Sequence, residues 1–374
     1  MICAIAILSL ATWIYLLLFH GQFWRSRPVL PAAAGSAAAK VAVVVPARDE
    51  AQNIGASLAS LLAQEYAGEI AVILVDDNST DGTASIAASV GDARLTIVSG
   101  APLPPGWSGK MWAVHQGLAH PLARAAEYIL LTDADIAHAP HHLAMLVVQA
   151  ERGRLDLVSE MVRLHCSTFP ERALIPAFVF FFQMLYPFSR VANPKRRTAG
   201  AAGGTMLVRR AALDRVGGVS CIRGQLIDDC ALAGEIKRSG GRIWLGHAEA
   251  AVSLRVYGSF GEIWEMIART AYVQLRQSPL LLAGCVVGMS ILYCWPPMMA
   301  LMARGGPQML GGAAWLLMAL LFLPTLRRYR SSSLWGVALP AIGLFYLGAT
   351  VASAMRYYAG RGGGWKNRVY PAGR

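Results

Sequence analysis

The sequence predicts an α/β fold built on a mostly parallel sheet, with apolar segments at both ends of the chain. Three observations carry that expectation. The run Val41-Ala-Val-Val-Val45 has the unbroken β-branched character of a strand covered on both faces. Further short apolar runs, Ile70 to Val75, Leu95 to Val98 and Tyr128 to Thr132, follow at intervals that leave room for a helix. That alternation means parallel strands joined by right-handed crossovers. Finally, Met1 to Phe19 and three runs beyond Pro279 are long and nearly uncharged, and the mean hydropathy is +0.43, which points to membrane segments flanking the folded part.

Charge separates the same regions. The net charge of the 374 residues is +12, yet residues 1–40 and 266–374 hold 14 of the 34 basic residues and no acid. Residues 41–265 therefore carry all 22 acidic residues against 20 basic ones, a net charge of −2. A nucleic-acid partner would need its basic face on the folded domain, so the charge argues against that class, and the basic flanks suit anionic lipid headgroups. The six cysteines form no Cys-X-X-Cys pair and read as small hydrophobes, not as a disulfide framework or a zinc site.

In chain order, residues 1–24 are expected to be a transmembrane anchor. Arg25 and Arg27 follow the span, which places the next domain in the cytoplasm, and residues 25–40, rich in Ala, Pro and Gly, read as a linker. After the first strand, Pro46-Ala47-Arg48-Asp49-Glu50 turns into a helix running to about Ala63. The second strand closes in Asp76-Asp77-Asn78-Ser79-Thr80-Asp81-Gly82-Thr83, whose side chains can accept from a base or ribose, or simply cap the next helix. No Gly-X-Gly-X-X-Gly and no Walker loop is present, so dinucleotide oxidoreduction and P-loop ATP hydrolysis are poorly supported. In Pro104-Pro-Gly-Trp-Ser-Gly-Lys110-Met-Trp-Ala113, Lys110 sits near a helix N-terminus, where it can meet phosphate or stay solvated. The Tyr128 to Thr132 strand then delivers Asp133 and Asp135. In extended backbone, residues i and i+2 share a face, so the pair reads as a clamp for a divalent ion, Mg²⁺ or Mn²⁺, and a nucleotide diphosphate; the alternative is a helix cap. His138, His141 and His142 read as the solvated face of a helix start, not as a metal site.

After a strand from Leu155 to Arg163, the stretch Ile175 to Phe188 is heavily aromatic and broken by two prolines. It is short for a span, so residues 171–192 are expected to be an interfacial or re-entrant insert, or else a buried core helix. Lys195-Arg196-Arg197 can hold phosphate or be solvated. Gly203-Gly204 gives a close backbone approach into a short strand. Asp228 and Asp229 open a helix, as caps or as a general base. Arg242 to Gly246 and Ala250 to Val256 are expected as late strands, closing a domain over residues 41–259. Residues 260–278 read as an amphipathic helix at the membrane surface, 279–356 as about three membrane segments, and 357–374 as a basic tail. The positive-inside rule leaves the side of the tail open, because Pro296-Pro297 allows the first of these segments to be re-entrant.

Taken in order, Pro46-Ala-Arg-Asp-Glu50, Val75-Asp-Asp-Asn-Ser-Thr-Asp-Gly-Thr83, Gly109-Lys110, Thr132-Asp-Ala-Asp135, Gly203-Gly204 and Asp228-Asp229-X-X-Leu232 resemble the family 2 glycosyltransferases with the GT-A fold. The resemblance covers about residues 41–276. Within that family the Pro-Pro-Gly-Trp-X-Gly-Lys-X-Trp-Ala loop and Ile-Asp-Asp-Cys-Ala-Leu look most like the hopene-associated glycosyltransferase of bacterial hopanoid gene clusters, with carotenoid glycosyltransferases next. The resemblance implies a donor site made by Pro46, Ala47, Arg48, Glu50, Asp76, Asp77, Lys110, Asp133 and Gly204, a metal held by Asp133 and Asp135, and Asp229, beside Asp228, as catalytic base. It implies an inverting, single-displacement transfer from a nucleotide-sugar donor, UDP-sugar favoured, to a lipid acceptor at the plasma membrane, a hopanoid before a carotenoid or polyprenyl phosphate. A scaffold that only binds nucleotide sugar is the non-catalytic alternative. The Gln-X-X-Arg-Trp motif of processive members is missing, its nearest counterpart being Arg269-Thr-Ala-Tyr-Val273, which favours one sugar per acceptor.

Overall fold

The computed structural model describes residues 2–31 and 37–362, together with the backbone of 364–365 and 368–369. Parts of the expected linker and of the expected basic tail thus lie outside the described residues. The centre is an eight-stranded sheet of β1 (Val41–Ala47), β2 (Ile70–Asp76), β3 (Leu95–Ser99), β4 (Tyr128–Leu131), β5 (Ile136–His138), β6 (Leu157–Arg163), β7 (Met206–Arg209) and β8 (Ile243–Ser253), in the order β3-β2-β1-β4-β7-β6-β8-β5. Every residue of β1 is buried, as its continuous apolar run requires of a strand with helices on both faces.

The first four strands in space run parallel, β3 to β2 to β1 to β4, and β6 pairs parallel with β8. The alternation of elements did not reveal that β7 is antiparallel to both β4 and β6, or that β5 is antiparallel to β8. This reversal decides where the site lies. Because β7 runs against β4, Met206 at its start pairs with Leu131 at the end of β4, so the Gly203-Gly204 turn that enters β7 is delivered to the carboxyl edge of the parallel strands. The two late strands expected around Gly246 are one strand, β8, which pairs β6 with its first half and β5 with its last residues across a register shift.

Among the described residues, five helical stretches are long and apolar enough to cross a membrane: Ile2–Phe19, Phe169–Ala192, Pro279–Met302, Gly306–Arg328 and Leu334–Tyr358. The second exceeds the short segment expected. Its first helix starts at Phe169 because Thr168 and Glu171 form a capping box, and it carries Pro176 in its interior as far as Leu185. Pro279–Met302 stays helical through Pro296-Pro297, with a π-helical turn at Ser290–Cys294. The expected amphipathic helix from Phe260 to Gln277 is broken at Arg269-Thr270 into Phe260–Ala268 and Ala271–Gln274. Its apolar side is covered by protein: Trp264 packs edge-on against Phe345 of the last long helix, at 5.1 Å between ring centroids.

Candidate active site

The carboxyl edge of β1, β2 and β4 gathers the acidic residues, and the local chain geometry explains how. β4 ends at Leu131, so Asp133-Ala134-Asp135 is a turn and not the extended segment expected from the apolar run; Ile136 N–H closes it by donating to the Asp133 carbonyl at 3.3 Å. The two carboxylates consequently do not share one face of a strand. Nor do they face one another unscreened, because each meets a cation of the protein. Asp133 Oδ1 lies 2.9 Å from Lys110 Nζ, and Asp135 Oδ2 accepts from Arg255 Nε at 2.8 Å.

Lys110 is the hub of the first cluster. Ser108 caps its helix by accepting from Met111 N–H, and the first turn aims the lysine between Asp133 and Asp228, the latter 3.2 Å away. Burial works against the ammonium, but the carboxylates of Asp133 and Asp228 outweigh it and keep the group charged. Asp228 and Asp229 occupy the first turn of the helix Asp228–Arg238, yet neither caps it with its side chain. Asp229 instead accepts from Gly203 N–H at 2.9 Å and from Cys230 N–H at 2.7 Å. Burial and then the neighbouring Asp228 push its carboxyl up to about 6, with Lys110 pulling the other way. Gly203 stands close to both groups: a Cβ there would sit 3.3 Å from Lys110 Nζ and 3.6 Å from Asp229 Oδ2.

Arg255 organises a second cluster. It bridges Asp135 to Glu50, with Nη2 3.1 Å from Glu50 Oε1. Sequence reasoning missed this arginine, and its only local signal is its place just beyond β8. The remaining donor-site candidates hold the two loops together behind the edge. Arg48 donates to the Asp77 carbonyl at 2.5 Å, Asp77 N–H donates to the Ala47 carbonyl at 2.8 Å, and Asp76 Oδ2 accepts from Ser79 N–H at 3.4 Å. Asp81, read as one of several capping candidates, accepts from Thr83 and from Ala51 N–H, which ties the second loop to the first.

A cavity of about 1850 Å³ joins both clusters. Pro46, Glu50, Lys110, Asp133, Asp135, Gly204, Asp228 and Asp229 line it, whereas Ala47, Arg48, Asp76 and Asp77 do not. The same cavity continues among the apolar helices, past Phe178, Phe181, Phe182 and Leu185 on one side and Cys285, Met289 and Leu292 on the other. The spacing of both sets places each on a single helix face. Lys195, Arg196 and Arg197 are exposed and do not line it.

The histidines differ from expectation. His141 is exposed, but His138 and His142 are buried, hydrogen-bonded to one another and onward to Thr132 and Glu160, so they form no solvated helix face. Among the described residues, no group of three or more His, Cys, Asp or Glu side chains is arranged to hold a metal ion.

Comparison with known proteins agrees with this geometry. Residues 42–217 match the model of glycosyl transferase family 2. The 4,4'-diaponeurosporenoate glycosyltransferases of Staphylococcus aureus are 34% identical to this chain over 94 residues in strain bovine RF122 / ET3-1 and 33% identical in strain USA300. The matched segment is 25% of this chain and 23% of the staphylococcal ones, so the similarity spans about a quarter of those relatives. Among solved structures, the mannosyltransferase PcManGT from Pyrobaculum calidifontis, in complex with GDP-Man and Mn²⁺, superposes over 95% of this chain and 98% of its own with a TM-score of 0.57 and 21% identity, a likeness of fold. Fold, edge-gathered carboxylates and family match agree: the chain carries a glycosyl transferase family 2 domain on a GT-A fold.

Proposed function

We propose that this protein transfers one sugar from a nucleoside-diphosphate sugar to a polar group of a membrane lipid. The observation that carries the reading is the single cavity running from Asp229 and Lys110 into the aromatic faces of the apolar helices. A water-soluble acceptor needs no such arm; a lipid whose reactive group must reach a polar edge does. The chain sits in a membrane through its long apolar helices, with the sheet domain on the cytoplasmic side, where nucleotide sugars are found.

Asp229 is the general base. Its raised carboxyl is ionised at neutral pH and still basic enough to take a proton from an acceptor hydroxyl, which attacks the anomeric carbon opposite the departing diphosphate. The attack breaks the bond to the diphosphate in one step and inverts the anomeric centre, with no second carboxylate nucleophile. Lys110 meets the charge on the diphosphate, and the Asp228 carboxylate keeps that ammonium in place. Asp133 and Asp135 fit a divalent ion: both line the cavity, and Asp133 Oδ2 and Asp135 Oδ1 accept no hydrogen bond among the described residues. When bound, Mg²⁺ or Mn²⁺ would supply charge neutralisation for the leaving group. Pro46 and Glu50, which line the cavity, are assigned to the nucleoside side of the donor, with Arg48, Asp76 and Asp77 bracing the loops behind them, and Gly204 to the backbone approach.

A hopanoid hydroxyl is the favoured acceptor on the loop and Ile-Asp-Asp-Cys motifs. The staphylococcal relatives favour a second reading, a carotenoid acid. A polyprenyl phosphate loses support because the exposed Lys195 to Arg197 triplet stands away from the cavity. The test is nucleoside diphosphate release by detergent-purified protein with Mn²⁺, a panel of UDP- and GDP-sugars, and hopanoid, carotenoid acid or polyprenyl phosphate. Lipid-stimulated release abolished by Asp229→Asn supports the reading and names the acceptor. Release indifferent to lipid and to Asp229→Asn overturns it.

A further inference from the structure

Behind the site lies a buried chain of polar side chains for which the reaction above has no direct use. Thr132 Oγ1 is 2.8 Å from the Gly204 carbonyl oxygen and 3.0 Å from His138 Nε2. His138 Nδ1 is 2.8 Å from His142 Nδ1, and His142 Nε2 is 2.6 Å from Glu160 Oε2. All four side chains are buried.

The direction of each hydrogen follows from one end. A carbonyl oxygen has no hydrogen to give, so the Thr132 hydroxyl donates to Gly204. Its oxygen then accepts from His138 Nε2–H. That leaves His138 Nδ1 as an acceptor, and the hydrogen between the two imidazoles belongs to His142 Nδ1. His142 Nε2 must in turn accept, so Glu160 holds the last hydrogen as a carboxylic acid. The environment agrees. Burial pushes Glu160 up to about 8, with Arg328 opposing and Glu249 adding to the shift, while burial lowers His142 to about 4 and His138 well below the usual imidazole range. Glu160 Oε1 is buried without a hydrogen-bond partner, tolerable on a neutral acid and costly on a carboxylate.

At its far end this chain reaches a turn that needs holding. A Cβ on Gly204 would lie 2.9 Å from Val162 Cγ1 and one on Gly203 3.3 Å from Lys110 Nζ, so two glycines stand side by side where the backbone aims one N–H at Asp229. The Gly204 carbonyl is fixed by two hydroxyls, Thr132 and Thr205, each at 2.8 Å. We propose that Glu160, acting through His142, His138 and Thr132, is a positioning residue that fixes the Gly203-Gly204 turn and thereby the orientation of the Asp229 carboxylate. The inference rests on Asp229 being the base.

The experiment measures kcat and donor KM of the full chain in detergent, with saturating lipid acceptor. Glu160→Gln keeps an N–H donor toward His142 and should stay within about twofold of the parent; Glu160→Met keeps the volume without the donor and should lower kcat about five- to tenfold at nearly constant KM. Thr132→Val should lower kcat similarly, and the double variant should be no worse than the poorer single one, because both cut the same chain. Equal losses in Glu160→Gln and Glu160→Met, no loss in Glu160→Met, or losses that multiply would overturn the proposal. If Glu160→Met does not fold, nitrogen-15 shifts of the unaltered protein decide: His142 protonated on Nδ1 and bare on Nε2 supports it, and the opposite tautomer overturns it. Asp229→Asn, assayed alongside, separates the two ideas, since activity surviving that change removes the base itself.

Discussion

Replacing Lys110 by methionine removes the one cation between Asp133 and Asp228 while keeping nearly the same volume. Lys110 Nζ and Asp229 Oδ2 flank the position a Gly203 Cβ would take, at 3.3 and 3.6 Å, so they are at most about 7 Å apart. With an effective dielectric of about 20, a unit charge at that distance is worth about 2 kcal/mol, which is between one and two pKa units. The sign is upward, because the ionised form of Asp229 loses its attractive partner while the repulsion from Asp228 stays. A carboxyl already near 6 should therefore titrate between about 7 and 8 in Lys110→Met. The assay is kcat for lipid-dependent nucleoside diphosphate release against pH at saturating donor. The parent should gain activity as pH rises through about 6, and the variant should show the same limb displaced upward by at least one unit. A limb that stays in place, or moves toward acid, would refute the assignment of Asp229 as a base coupled to Lys110.

Arg255→Leu strips the shared cation from Glu50 and Asp135, and transfer should fall by about tenfold or more with a changed Mn²⁺ dependence; an unchanged metal titration would count against a role for Asp135 in metal binding. Gly204→Ala places a Cβ 2.9 Å from Val162 Cγ1 and should destabilise the fold by about 1–3 kcal/mol, read as a lower melting temperature; an undiminished melting temperature would show that the turn gives way easily. Cys285→Trp, in the apolar arm, should raise the KM for lipid while leaving slow hydrolysis of the nucleotide sugar intact, and equal loss of both would place the acceptor elsewhere.

Much of the candidate site's placement could be read from the chain because strands of a parallel sheet end where ligands bind. Asp76 and Asp133 each close an apolar run, and an apolar run that ends in acid marks a carboxyl edge without any knowledge of the partners across the sheet. The unread parts depend on contacts distant in sequence. Arg255 meets Asp135 across 120 residues and Glu50 across 205, so no local pattern announces it. The two aspartates sit in a turn because Ile136 must reverse into β5, and β5 exists only by virtue of its pairing with β8. His138 and His142, four residues apart, look like neighbours on an exposed helix turn; in the interior His142 meets Glu160 from β6, which the sequence places in an unremarkable strand. The antiparallel β7 was hidden for the same reason, since strand direction depends on where the connecting chain returns, not on its own composition.

That returning chain has a consequence for how the protein comes into being. β6 ends at Arg163 and β7 begins at Met206, and between them runs the apolar stretch Phe169–Ala192. Its backbone is bound to the end of the chain, Leu174 O accepting from Tyr346 of the last long helix at 2.9 Å. β7 follows that stretch in the chain, and the cavity wall draws on the C-terminal helices as well as on the loops of the sheet. The packing of the apolar helices and the completion of the cavity are thereby coupled. On the proposed reading, a chain whose C-terminal helices had not packed would hold the Asp133 and Asp229 edge without the apolar arm of the cavity.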